Sequence, residues 1–296
     1  MNLASTWRAN MWAVLFAALG SPAAAQTPPP ATASAPTAEG LFLDDRGPGV
    51  ATSMFGTYVA RGELLVYPFF EYYRDGNLEY APEELGATGS EEYRGRYRAK
   101  EGLIWVAFGL HDNVAVEFEA AMITASLDKA PEDSSALPTR LTESGIGDIE
   151  GQLRWRMRRE TAHRPELFSY AEVVFPHHPE RGLIGTLGWE VKGGFGVTRG
   201  FRWGTLTGRA AVEWTESSTS HFDVGEYAFE YLKRLSPKWR VYLGLEGTQD
   251  ELSLITEAQW FVKRGIFLKV NNGVGLTSKA TGWAPEIGMV FTLPVR

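Results

Sequence analysis

From Gly147 to Arg159 the chain alternates with period two: Ile149, Gly151, Leu153, Trp155 and Met157 take one parity, and Asp148, Glu150, Gln152, Arg154, Arg156 and Arg158 take the other. An extended chain sends successive side chains to opposite sides, so this run predicts a strand with one apolar and one charged wall. The same pattern predicts strands over 62–74, 92–110, 113–126, 145–159, 166–176, 185–198, 201–216, 221–234, 238–249, 252–264, 265–277 and 281–294. Many exceed the five or six residues usual in globular sheets. They suit the roughly nine to eleven residues that a tilted strand uses to cross a bilayer. The predicted class is all-β: a transmembrane antiparallel up-and-down barrel of twelve strands.

The connections sharpen this reading. Tight turns at Leu110 to Asn113, Arg199-Gly200, Ser236-Pro237 and Arg264-Gly265 contrast with long polar segments after the first, third and fifth predicted strands. Short turns on one side and long loops on the other is the pattern of outer-membrane barrels, and an even strand number then puts both termini in the periplasm. Tryptophan prefers membrane interfaces. In this topology Trp155, Trp203, Trp239 and Trp260 fall toward the periplasmic ends of their strands, and Trp189, Trp214 and Trp283 toward the outer ends, as two girdles. The last predicted strand carries Glu286, Gly288, Phe291 and Leu293, a spacing that resembles the C-terminal signal read by the barrel-assembly machinery, although Pro294, Val295 and Arg296 follow it.

At the other end, Arg8 precedes an apolar run from Met11 to Leu19 and then Ala23-Ala24-Ala25. A run this short with a small-x-small site predicts a cleaved secretory signal over 1–25. Residues 26–56, which begin with a tract rich in Pro, Ala, Thr and Ser, are expected to form a flexible periplasmic segment, and 57–296 the barrel. The 10 Trp, 11 Tyr, 16 Phe and 32 Gly suit many short strands. Cysteine is absent, so no disulfide contributes. The net charge of −7 and the lack of a basic aromatic cluster argue against a nucleic-acid partner.

The segment Gly145-Ile146-Gly147-Asp148-Ile149-Glu150-Gly151-Gln152-Leu153-Arg154-Trp155-Arg156, together with the strand from Phe168 to the Phe175-Pro176 step and the later Gly-rich hairpins, resembles the MetA-pathway of phenol degradation family. The resemblance covers about 60 to 296. It implies an outer-membrane barrel with a channel role near the degradation of aromatic compounds and no defined catalytic set.

Transport chemistry would be written on lumen-facing positions. The candidates are Arg94, Arg96, Arg98 and Lys100 on one face of the second predicted strand, Glu117 and Glu119 on the third, and Glu150, Arg154 and Arg156 on the fourth. Such charges would form either a selective constriction, as charge rings do in pores, or a salt-bridged, plugged interior. An acidic loop with Asp75, Glu79, Glu83, Glu84, Glu91 and Glu92 would either bind cations that bridge lipopolysaccharide or keep the loop solvated. His177-His178 is the one histidine pair, and without a second ligand cluster it reads as loop rather than metal site. An outer-membrane lipid hydrolase would need Ser218 or Ser220 beside His221, but neighbours such as Ser220 and His221 point to opposite faces of a regular strand. No cofactor is expected. The expected partners are outer-membrane lipid, lipopolysaccharide, the barrel-assembly machinery and a small solute. The functions left standing are a channel or transporter, with small aromatic or apolar solutes implied by the resemblance, and a structural or surface-interaction barrel without an open pore.

Overall fold

In the computed structural model, which describes residues 43–216, 222–249 and 251–295, the predicted strands appear as β3 to β14. Their ranges are Glu63–Tyr80, Tyr93–His111, Val114–Asp128, Arg140–Arg158, Glu166–Phe175, Glu190–Phe201, Gly204–Thr215, Phe222–Ser236, Trp239–Thr248, Glu251–Lys263, Ile266–Gly275 and Ala284–Pro294. Each pairs antiparallel with the next, and β14 pairs with β3, which closes a twelve-stranded barrel. Closure removes every sheet edge, the condition for a strand structure to sit in lipid.

One end carries the short connections 112–113, 202–203, 237–238 and 264–265, with a longer one at 159–165; the other carries the long loops 81–92, 129–139 and 176–189. The segregation has one further exception, the tight 249–250 turn at the long-loop end. Strands β3 to β6 run past their neighbours at that end, because β3 continues to Tyr80 and β6 starts at Arg140, beyond the predicted limits.

The outer wall is apolar. Phe70, Ile104, Phe118, Met122, Leu153, Phe195, Val212 and Ile287 are exposed there. Trp155, Trp203, Trp239 and Trp260 stand at the short-turn end of the same face, with Trp239 stacked on Trp260, and Trp189 and Trp283 stand at the long-loop end. Trp214, opposite Phe222, shares that level. The inner wall is polar and tightly fitted. Tyr170 and Phe168 lie over Gly194 and Gly196, where a Cβ would come within 2.3 Å and 2.0 Å of the rings. The Gly193-Gly194-Phe195-Gly196 run therefore supplies sockets for aromatic rings from β7.

A β-bulge between Ala120 and Met122 on β5 and Ile146 and Ile149 on β6 shifts the pleat. Both isoleucines consequently face outward although their parity differs, while Asp148 stays on the inward face with Glu150 and Gln152. Asp148 accepts backbone N–H bonds from His177 at 2.9 Å and from Thr186 at 2.5 Å. These tie the 176–189 loop to the barrel, where Ile184 packs on inward-facing Ala99 and Ala125.

The segment before β3 departs from expectation. Residues 43–56, expected to belong to a flexible tail, enter the barrel at the short-turn end and form a hairpin of β1 (Val50–Ala51) and β2 (Tyr58–Val59) inside it. Val50 and Val59 are buried against Tyr67, Trp105 and Val290 of the wall. Packing outweighs the segment's low local propensity, since two-residue strands have no stability of their own. Gly109 lets the chain pass, because a Cβ there would lie 2.0 Å from the Ala60 carbonyl oxygen. Gly109→Val should therefore dislodge the hairpin's exit, seen as faster tryptic cleavage after Arg61 in the folded barrel; unchanged cleavage would show that the crossing tolerates a side chain.

Candidate functional site: the plugged acidic lumen

The hairpin of residues 43–60 is held by charges that the barrel strands aim inward. Arg46 sits between Glu160 and Glu166, 3.2 Å from the latter, with all three side chains almost fully buried. Burial disfavours the charge on Arg46, but Tyr58 together with the Glu166 and Glu160 carboxylates more than offsets this and raises its pKa. Arg156 donates to the carbonyls of Pro48 and Gly49 at 2.7 Å each. Arg154 donates to the Ala51 carbonyl at 3.0 Å, lies 3.4 Å from Glu117, and packs over the Phe168 and Tyr170 rings.

At the tip of the hairpin, Ser53 donates its backbone N–H to Glu117 at 2.9 Å, and its hydroxyl also bonds Glu117 and accepts from the Trp105 indole at 3.2 Å. The Phe55 carbonyl accepts from Lys269 Nζ at 3.3 Å, and the Phe55 ring stacks on Tyr242 at 5.0 Å. Lys269 itself pairs with Glu257 at 3.1 Å, both fully buried.

Ser53, Met54 and Phe55 floor a cavity of about 560 Å³ whose walls reach Glu251, Ala280 and Thr281 at the long-loop end. Nine glutamates line it against two cations, Lys192 and Arg209. The cations are already committed: Lys192 to Glu172 at 3.0 Å and Glu213 at 3.5 Å, Arg209 to Glu226 at 2.8 Å, Glu230 at 3.2 Å and Glu246. Glu71, Glu101, Glu119 and Glu150 have no Lys or Arg within ion-pair distance among the described residues. Register sharpens the imbalance. Glu71 lies directly opposite both Glu286 and Glu101, and Glu119 directly opposite Glu150. Like charges facing one another across strands repel, so a cation placed between these rows would be stabilised.

The wall around this interior is a polar-lined, twelve-stranded cylinder with an apolar exterior. Its fold is that of an outer-membrane β-barrel. It aligns with the crystal structure of an outer membrane channel from Pseudomonas putida F1 at a TM-score of 0.57 and 13% identity, over 82% of this chain and 100% of that one. The translocator domain of the autotransporter NalP from Neisseria meningitidis aligns at 0.48 and 10% identity, over 77% and 88%. The Ralstonia pickettii toluene transporter TbuX aligns at 0.41 and 10% identity, over 86% and 100%. At these identities the likeness is one of fold. No family model and no curated protein matches the chain.

Of the residues that the sequence offered for the lumen, Glu117, Glu119, Glu150, Arg154 and Arg156 point into the barrel, the first and last two into the plug and the middle two into the cavity. Arg94, Arg96, Arg98 and Lys100 do not. The pleat of β4 turns Tyr97, Ala99, Glu101, Leu103 and Trp105 inward and leaves the basic ladder on the outer face with Ile104. A charged face does not by itself mark the lumen here, because β4 rises past the apolar belt, where an outer face can carry charge. Neutralising Arg94, Arg96 and Arg98 should accordingly leave ion selectivity unchanged.

On β14, Glu286 is buried against the Tyr67 hydroxyl, Gly288 lies under Phe69 and Tyr67, Phe291 opposes Val66 and Leu293 is exposed outside. His177 and His178 stand in the 176–189 loop, the latter 3.3 Å from Glu180. Ser218, Ser220, His221 and the signal segment lie outside the described residues. Sequence reading missed Trp105, Lys269 and Arg46. Parity places Trp105 with Ala107 and Leu103, but nothing local shows that its indole receives a serine from the N-terminal hairpin.

Proposed function

We propose that the protein is an outer-membrane channel for small cationic solutes, its short-turn end and termini in the periplasm, with residues 43–60 closing the path from that side. The facing glutamate rows Glu286/Glu71/Glu101 and Glu119/Glu150 carry this reading, because they set a negative field along the cavity that its two cations, each already held by other glutamates, do not neutralise. Carboxylate rings select cations in pores by the same physics. The resemblance to an aromatic-degradation family supports an aromatic body on the solute, for which Phe55, Phe69 and Leu103 are seats beside the carboxylates. The likeness in fold to a channel of Pseudomonas putida is consistent with transport.

Planar-bilayer recording of the full chain under a KCl gradient tests this. The reversal potential should show cations favoured several-fold, and Glu101→Gln/Glu119→Gln/Glu150→Gln should bring it close to zero. An anion preference in the unaltered protein would sink the reading. A second reading, a barrel that never conducts, is favoured by the density of buried pairs at the plug; complete absence of channel events from a barrel with normal heat-modifiable migration would establish it.

A further inference from the structure

The basic residues that the pleat turns outward join Arg74 and Arg140 in one cationic surface on the outer wall at the long-loop end. Register sets Arg74 opposite Arg98, Tyr72 opposite Lys100, and Lys100 opposite Thr124, which in turn opposes Ser144. Directly below on the same face are exposed Phe70, Met122 and Ile146. Phe70 and Met122 flank Gly102, and two residues of strand advance about 7 Å. Lys100 and Arg98 are therefore the first and second steps above the apolar belt.

Part of this surface is neutralised within the protein. Arg94 pairs with Glu79 at 2.6 Å, while Arg96 and Arg140 share Asp128 at 3.5 and 3.6 Å. Arg74, Arg98 and Lys100 have no acidic partner among the described residues, and Arg74 and Arg98 repel one another across the ladder. An anion at this height would satisfy them.

We propose that this surface binds the phosphate groups of an anionic phosphoglycolipid, lipopolysaccharide in kind, in the leaflet at the long-loop end. The inference rests on the outer-membrane reading above. In a bilayer the layer one step beyond the apolar belt is where lipid phosphates lie, and guanidinium groups grip phosphate in two-pronged bonds. The hydroxyls of Tyr72, Thr124 and Ser144 beside the cations suit the sugar of such a headgroup. Exposed Trp283, bridged to Arg74 and edge-on to Tyr72 at 6.0 Å, adds at the same level an aromatic ring of the kind that membrane interfaces favour.

The test uses the full chain in mild detergent, offered diphosphorylated lipid A or the same lipid stripped of phosphate, with bound lipid counted by native mass spectrometry. The unaltered protein should prefer the phosphorylated form by at least roughly tenfold. Arg74→Gln/Arg98→Gln/Lys100→Gln/Arg140→Gln should abolish the preference, and the smaller change Arg98→Gln/Lys100→Gln should cut it several-fold, which keeps the test open if the larger variant misfolds. Equal binding of the two lipids by the unaltered protein, or an unchanged preference in the variants, would overturn the proposal. So would displacement of the lipid by an equal concentration of inorganic phosphate, which would make the site one for a free anion. Fractionation of the expressed protein reads the membrane assignment separately: a chain found in the outer membrane without a phosphate preference defeats the lipid site alone.

Discussion

Deletion of residues 43–60, with the preceding chain joined to Arg61, should raise the single-channel conductance at least roughly tenfold, because close-packed side chains leave hydrated ions only a narrow path past the hairpin and an unobstructed lumen gives them a wide one. The hairpin fills the short-turn end of the barrel, and its tip at Ser53, Met54 and Phe55 is the cavity floor. Its removal exposes Glu117, Glu160, Glu166, Arg154 and Arg156 to water. Those groups pair with one another as well as with the hairpin, as Arg154 does with Glu117 and Arg156 with Glu166 at 3.6 Å, so the wall keeps its internal compensation. The barrel should still migrate as a heat-modifiable species on gels, since its closure depends on the β3 to β14 ladder and not on the hairpin. A folded deletion variant with the conductance of the full chain would mean that the block lies elsewhere, with the 176–189 loop the next element to remove.

The second large effect is expected at Glu117 and Arg154. Both side chains are almost wholly buried, 3.4 Å apart, and each also holds the hairpin, through Ser53 and the Ala51 carbonyl. Replacing one member of a buried pair strands the other's charge, at a cost of about 3–5 kcal/mol. Arg154→Met keeps the stem over Phe168 and Tyr170 and removes the charge together with the bonds to Gln152 and the Ala51 carbonyl, so that cost is the largest part of the loss. The double variant Arg154→Met/Glu117→Gln should recover most of it, because glutamine still accepts from the Ser53 N–H and no ion is left unpaired. Denaturation midpoints read from tryptophan fluorescence in detergent, arranged as a double-mutant cycle, measure the coupling. Additive losses across the cycle would show that the two residues stabilise the interior separately.

Both experiments act on an element that local sequence does not announce. Residues 43–60 have no sustained period and strands of only two residues, and their partners lie far along the chain: Arg46 meets Glu160, 114 positions away, and Arg154 meets Ala51, 103 positions away. Nothing between Leu43 and Ala60 distinguishes a segment that will be buried from one that will not, because burial here is decided by whether a complementary charge waits in the wall. The acidic rows are hidden for a related reason. Glu71, Glu101 and Glu286 become neighbours only through the register of three strands, one of them at the far end of the chain.

The alternating parity of side chains determined which residues of each strand share a wall, since the pleat makes face a property of odd and even position, and the number of strands with the sorting of short turns from long loops determined the twelve-stranded barrel. It also put Glu117, Glu119, Glu150, Arg154 and Arg156 on one common side and the tryptophans at strand ends. Parity does not say which wall meets lipid. For β4 that depended on how far the strand climbs beyond the apolar belt, and only the closed structure, by setting Arg98 and Lys100 above Phe70 and Met122, turned the basic ladder outward and left the lumen to the glutamates. The tertiary structure likewise decided that the lumen is plugged, because the free energy holding residues 43–60 in place comes from charges contributed by distant strands.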